Sequence, residues 1–175
     1  MAATQGVNHA FMNTKEAQNE ADKGLRAKIS MTLVPGLLLY RFASSDRSER
    51  WYSSPWWIGQ SPYDTIERYA RENRVTLGWA ARVCLAVDPL WRSRCDVIVG
   101  ARLARPLEVW TGTPKTVRSK VEQKYLARWE PDRAVTQLYI PGLSQPLAPS
   151  AQALWHDVLQ GTWHRSVSNN PPPAH

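Results

Sequence analysis

The chain has 175 residues, 43% of them hydrophobic, with nine tryptophans; this is enough apolar material for one cored domain and excludes wholesale disorder. Thirteen prolines argue for short elements and many loops, and exclude a helical bundle. Twenty-two basic against fifteen acidic residues give a net charge of +7 and a pI near 9.7, a balance that serves either a polyanionic partner or plain solubility.

In chain order, residues 1–30 are polar. Asn13 with Glu16 fits a capping box, and residues 14–28 are predicted helical, with scattered alanines and Leu25 as the apolar face and Gly24 interrupting it. Such a helix is marginal alone, which leaves two readings: a frayed leader, or a segment that orders on a partner. Pro35-Gly36 marks a turn. Residues 37–42 form a continuous apolar run that reads as a buried strand, with Arg41 near its end. A charge there is costly unless paired or kept for a ligand. Residues 43–50 make a charged loop, and residues 51–58 read as the next strand, with Pro55 at a bulge or closing its first half.

Ser61-Pro62 opens a helix that places Tyr63, Ile66, Tyr69 and Ala70 at helical spacing. A second, buried helix covers residues 77–87 and stops at Asp88-Pro89. Residues 95–104 and 106–111 read as strands. Residues 116–129 are predicted to be a basic helix, and residues 135–140 a strand closed by Pro141-Gly142. A final helix over residues 151–160 has Ser150 as its N-cap and Gly161 past its end, before a disordered tail. The expected division is a leader over residues 1–30, one globular domain over 31–164 and a tail over 165–175. The fold class is α+β, with small mixed or antiparallel sheets and flanking helices.

Cys84 and Cys95 form neither a metal pattern nor a disulfide framework, and no metal site is expected. No apolar run approaches the roughly 18 residues that cross a bilayer. The N-terminus is too polar for a Sec-type signal, so a protein of the reducing cytoplasm is expected. No P-loop, GxGxxG, HExxH, CxxC or GxSxG pattern occurs. His9, His156, His164 and His175 are scattered, which argues against histidine-based catalysis; His156 reads as a surface residue.

What remains is a combination. Arg41 can fork two N–H donors onto phosphate or ribose oxygens, or sit in an ion pair with Asp46 or Glu49. Ser53 and Ser54 can donate to a ribose or an amide, or simply supply strand polarity. Trp56, Trp57 and Tyr63 can stack a nicotinamide or adenine ring, or belong to the core; a regular strand puts the two tryptophans on opposite faces.

The arginine strand (Tyr40-Arg41-Phe42), followed by the serine-bearing aromatic segment at residues 51–57 and a helix, resembles the mono-ADP-ribosyltransferases of the arginine–serine–glutamate type found in many bacterial toxins. Residues 135–141, VTQLYIP, resemble that family's third motif and arrive in the right order, so the resemblance spans residues 37–142. It implies an ADP-ribosyltransferase-like fold and NAD as substrate. Arg41 would bind the NAD phosphate and ribose, and Ser54 with Ser53 would support the nicotinamide ribose beside Trp57 and Tyr63. Gln137 would stand where the family keeps its catalytic glutamate. Glutamine accepts the same hydrogen bond without the negative charge, which leaves a weak or altered transferase, another carboxylate (Glu108 or Glu130) doing the work, or a relative that only binds. Glu108, on a strand without the Ile-Pro ending, ranks second to Gln137. The resemblance further implies a bacterial or phage effector, acting in the cytoplasm of a target cell if delivered, with a protein or nucleic acid acceptor and a cognate inhibitor protein as partners. Residues 115–124 would dock an acidic target or serve as a solvated face. The rival reading is a non-enzymatic, basic, aromatic-rich binding protein for nucleic acid or a protein partner, itself an inhibitor in one version. It predicts exposed tryptophans and no cleft joining Arg41, Ser54 and Gln137.

Overall fold

The structure is a computed structural model that describes residues 5–88, 90–91, 93–121, 124–143 and 157–168. Two short helices open it, α1 (His9–Met12) and α2 (Lys15–Gly24), followed by strands β1 (Leu25–Leu33) and β2 (Leu38–Ala43). A 3-10 segment (Ser45–Arg50) leads to β3 (Trp56–Gly59), then helices α3 (Gln60–Glu72) and α4 (Leu77–Cys84). Strands β4 (Val97–Leu103), β5 (Leu107–Pro114), β6 (Val117–Val121), β7 (Lys124–Trp129), β8 (Gln137–Tyr139) and β9 (Leu159–Ser166) complete the described elements.

Seven strands form one antiparallel sheet in the order β1-β5-β8-β3-β2-β4-β9, and β6 with β7 make a separate ribbon. This is the expected mixture of antiparallel sheet and flanking helices. One face of the sheet buries Leu39, Ala43, Trp57, Val99, Val109 and Ile140. On the other, α3 and α4 cover Tyr40, Phe42, Ile58 and Ile98. The α3 stripe of Tyr63, Ile66 and Ala70 is the one legible at helical spacing, and full burial of Ile66 is worth about 1.5–3 kcal/mol.

The feature that shapes the molecule is the pairing of β3. Its first half pairs with β8 (Trp56 with Tyr139, Trp57 with Leu138), and its second half pairs with β2 (Ile58 with Tyr40, Gly59 with Leu39). Continuing the two registers would set Arg41 opposite Trp57 and Gln137 opposite Ile58, and neither pair forms. The sheet therefore splits at the centre of β3 into two half-sheets, β1-β5-β8 and β2-β4-β9.

Several sequence expectations need correction. The helix predicted over residues 14–28 ends at Gly24, where the backbone turns extended at Leu25; Thr14 rather than Asn13 caps it, its side chain accepting from the Ala17 amide. A side chain at Gly24 would collide with the Trp56 ring, so glycine marks a close approach as well as the helix end. Ala17 and Ala21 pack with Leu25 on Tyr139, and α2 thereby lies against the sheet. Residues 51–55 are turn rather than strand, because Pro55 cannot donate to a ladder and Trp57 folds back to donate to the Ser54 carbonyl at 2.8 Å. The predicted basic helix is the β6–β7 ribbon: exposure alternates from Arg118 (exposed) to Ser119 (buried) to Lys120 (exposed), a period of two rather than 3.6. Of the final helix, residues 151–156 and its Ser150 cap lie outside the described residues; Leu159–Ser166 is an edge strand, with Gly161 inside it at φ 54°. His156 and His175 also fall outside, while His164 sits on β9, its ring tilted against Trp51.

The N-terminal segment is pinned by Asn8. Its fully buried side chain donates to the carbonyls of Glu108 (2.8 Å) and Pro141 (3.2 Å) and accepts from the Glu108 amide (2.8 Å). Gly6 and His9 add bonds to the Glu108 carboxylate at 3.1 and 2.8 Å. No helix of the described residues is long and apolar enough to cross a membrane.

Candidate functional site

Where the half-sheets part, two cavities of about 510 and about 430 Å³ meet, and Arg41, Ser54 and Ser93 line both. Each lies in the size range of small-molecule sites. The larger is lined by Trp56, Trp91 and Gln137, with Glu20 from α2 and Lys115 at the end of β5. The smaller is polar, with Arg47, Arg50, Ser44 and Ser53.

Arg41 holds the centre. Its Nη1 donates to the carbonyls of Arg50 (2.6 Å) and Trp51 (2.8 Å), which fastens the loop after β2. Burial pulls its pKa down to about 10, with Cys95 acting the other way. The ion pairs considered from the sequence do not form: Asp46 pairs with Arg94 at 3.3 Å and Glu49 with Arg50 at 4.0 Å. Among the described residues Arg41 meets no carboxylate, and Nε and Nη2 find no protein acceptor. A half-buried guanidinium with donors to spare favours an anion, which restores what burial took away.

The opposite wall is built by Arg82, itself buried, whose guanidinium donates to the carbonyls of Val87 (3.4 Å), Ser93 (2.9 Å) and Arg94 (3.0 Å). These bonds hold the segment after α4, which presents Trp91, half exposed, to the larger cavity. Ala86, in the left-handed region at φ 51°, ends α4 and also lines that cavity. Trp56 lies tilted against Tyr139, with ring centroids 4.9 Å apart.

The cleft therefore brings Arg41, Ser54 and Gln137 together, with Ser53 next door in the smaller cavity. It does not bring the others as expected. Trp57 borders the cleft but is only 1% exposed, a core side chain on the face of Leu39 and Ala43, so of these two neighbours Trp56 is the one with accessible surface there, alongside Trp91. Tyr63 lies on the buried face of α3, stacked on Tyr40 at 4.5 Å and accepting from Arg165 at 3.2 Å, and is absent from both linings. Burial and the nearby Glu67 raise its phenol pKa. Glu108 is committed to Gly6 and His9 at the N-terminal segment, outside the cleft, and Glu130 pairs with Arg128 at the end of the ribbon. Sequence reasoning missed Glu20, which is the carboxylate lining the cleft among the described residues. Its helix lies on the face of β8 that carries Tyr139 and, two residues away, Gln137, and its charge adds to the raised phenol pKa of Tyr139 after burial. No motif marks such a residue; only the amphipathic spacing of Ala17 and Ala21 hinted that α2 docks at all.

No protein-family profile matches the chain, and no curated protein matches it. A solved structure described as Rhs1-CT in complex with cognate immunity protein RhsI1 contains a chain that is similar at TM-score 0.43 and 14% identity, covering 74% of this chain and 87% of that one.

Proposed function

We propose that this domain is an ADP-ribosyltransferase-like effector that cleaves NAD and transfers ADP-ribose to a macromolecular acceptor. The observation that carries the reading is the cleft at the split of β3, where Arg41, Ser54 and Gln137 converge from three separate strands or turns. The binding-only rival called for their dispersal. It also called for exposed tryptophans, whereas among the described residues only Trp91 and Trp163 stand out as exposed.

In this reading the pyrophosphate lies against Arg41, with Arg47 and Arg50 on the polar side, and the nicotinamide riboside occupies the larger cavity beside Trp56 and Trp91. The C1′–N bond breaks with its electron pair leaving on nicotinamide. The ribose, carrying oxocarbenium character, is captured by an acceptor nucleophile that gives up its proton as the new bond forms. Gln137 accepts a hydrogen bond from the ribose, and Glu20, half exposed and ion-paired with Lys23 of the same lining, supplies the negative charge that glutamine lacks.

The test is nicotinamide release from NAD by the purified chain. Arg41→Lys keeps the charge but loses the planar fork, and turnover should fall by about 10²-fold or more. Glu20→Gln should lower kcat with little change in KM, and Gln137→Glu in that background should recover it. No release by the parent protein, together with no NAD binding by calorimetry, would reject the reading.

A further inference from the structure

Beside the cleft mouth stands the β6–β7 ribbon. Lys115 and Thr116, at its base, and Val117, its first residue, belong to the cleft lining. The face turned to α4 carries Val117 opposite Trp129 and the buried Ser119, whose cross-strand partner Ala127 is itself exposed. Ser119 accepts from Trp129 Nε1 at 2.9 Å, and Trp129 meets Trp79 of α4 edge-on at 6.0 Å. The outer face is cationic: Arg118 and Arg128 lie opposite each other on it with Lys120 beside them, all three exposed, while the bulge after Ser119 turns the exposed Lys124 to the other face. Arg118 and Arg128 are direct cross-strand partners. Glu130 pairs with Arg128 at the end of the strand.

We propose that this ribbon is the docking surface for a nucleic acid acceptor. Two features choose nucleic acid over an acidic protein. Protein interfaces are built around an apolar, charge-depleted centre, whereas nucleic-acid interfaces are far more positive. A two-stranded ribbon is also a shape that the major groove admits, and paired guanidinium groups suit successive phosphates. The net charge of +7 adds long-range attraction. Docking here brings the strand to the rim of the cleft, but the inference goes beyond the NAD reading and stands without it, since binding is measured with no NAD present.

The experiment is fluorescence anisotropy of the full chain with a labelled 20-nucleotide RNA and, separately, a labelled 20-base-pair DNA duplex, between 50 and 200 mM salt. The expected result is binding whose logarithm falls linearly with the logarithm of salt concentration. In an Arg118→Ser/Arg128→Ser variant the slope should flatten by about 1.4 for the single strand or about 1.8 for the duplex. Arg128→Gln is the second variant: it removes one of the facing charges without adding an opposite one, so Tm should be retained while affinity drops severalfold. The better ligand of the two identifies the acceptor as single-stranded or duplex. The proposal is overturned if neither probe binds, if poly-glutamate binds more tightly than both, or if the variants bind as the parent does.

Discussion

Substitution of Asn8 tests whether the N-terminal segment is an integral part of the cleft scaffold. Asn8→Ala removes two donated bonds and one accepted bond at a fully buried position. The Glu108 amide is left without its side-chain acceptor, at about 1–3 kcal/mol, and the two carbonyls lose a donor each, at about 1 kcal/mol together. A loss of about 3 kcal/mol is a large share of the roughly 5–15 kcal/mol typical of a domain, and lowers Tm by about 6–12 °C for a chain of this size. Asn8→Asp separates hydrogen bonding from packing. It has the same shape, but it sets a carboxylate oxygen against two carbonyls where an amide donated, so it should be at least as damaging as alanine. Urea titration of both variants gives the free energies, and amide exchange over α1 and α2 shows whether the loss concentrates there. A change below about 1 kcal/mol for alanine, or an aspartate milder than alanine, would refute the argument that these three bonds hold the segment.

Gly24→Ala places a methyl 2.2 Å from the Trp56 ring, so despite alanine's better helix propensity it should destabilise and shift the tryptophan emission, both measurable in one thermal melt. Ala27 is exposed in the left-handed region at φ 50°, at the β1 bulge, and Ala27→Gly should stabilise by about 0.5–1 kcal/mol by chemical denaturation. Burial, with Asp132 adding to it, pushes the Cys84 thiol up to about 12. The folded state then holds a proton that the unfolded thiol releases near pH ~8.5, so this contribution is complete below that pH and is lost as pH rises through about 12. Stability measured across that window should fall less steeply in Cys84→Ala.

The elements legible in the sequence are those that bury a full face. The apolar run ending at Arg41, the stripe of α3 and the strand at Val97–Leu103 announced themselves because packing demands their pattern. Edge strands place no such demand. β1 buries only its terminal leucines and β9 only Leu159, so both read as helix or tail. The ribbon was hidden for a related reason: charges on alternate positions mimic a basic helix when few apolar residues fix the period. Arg41, Ser54 and Gln137 could be nominated from short motifs. Their convergence depends on two registers between residues 18 and 81 positions apart, Tyr40 with Ile58 and Trp57 with Leu138, over distances where local pattern carries no information. Glu20 was invisible for the same reason, since its helix acquires a role only once Ala17 and Ala21 meet Tyr139.

The shared strand β3 also bears on how such a protein tolerates change in length. Four residues connect the two halves of the sheet, and their side chains alternate between the core facing Leu39 and the layers beneath α2 and α3. An insertion or deletion of one residue there would send Trp57 out of its core and bring Trp56 into it, reversing both halves at once. Loops on either side can lengthen or shorten with modest entropic effect. Among variants of this chain, length differences should therefore collect outside Trp56–Gly59, with that tetrapeptide as the ungapped column about which the two halves drift apart in sequence.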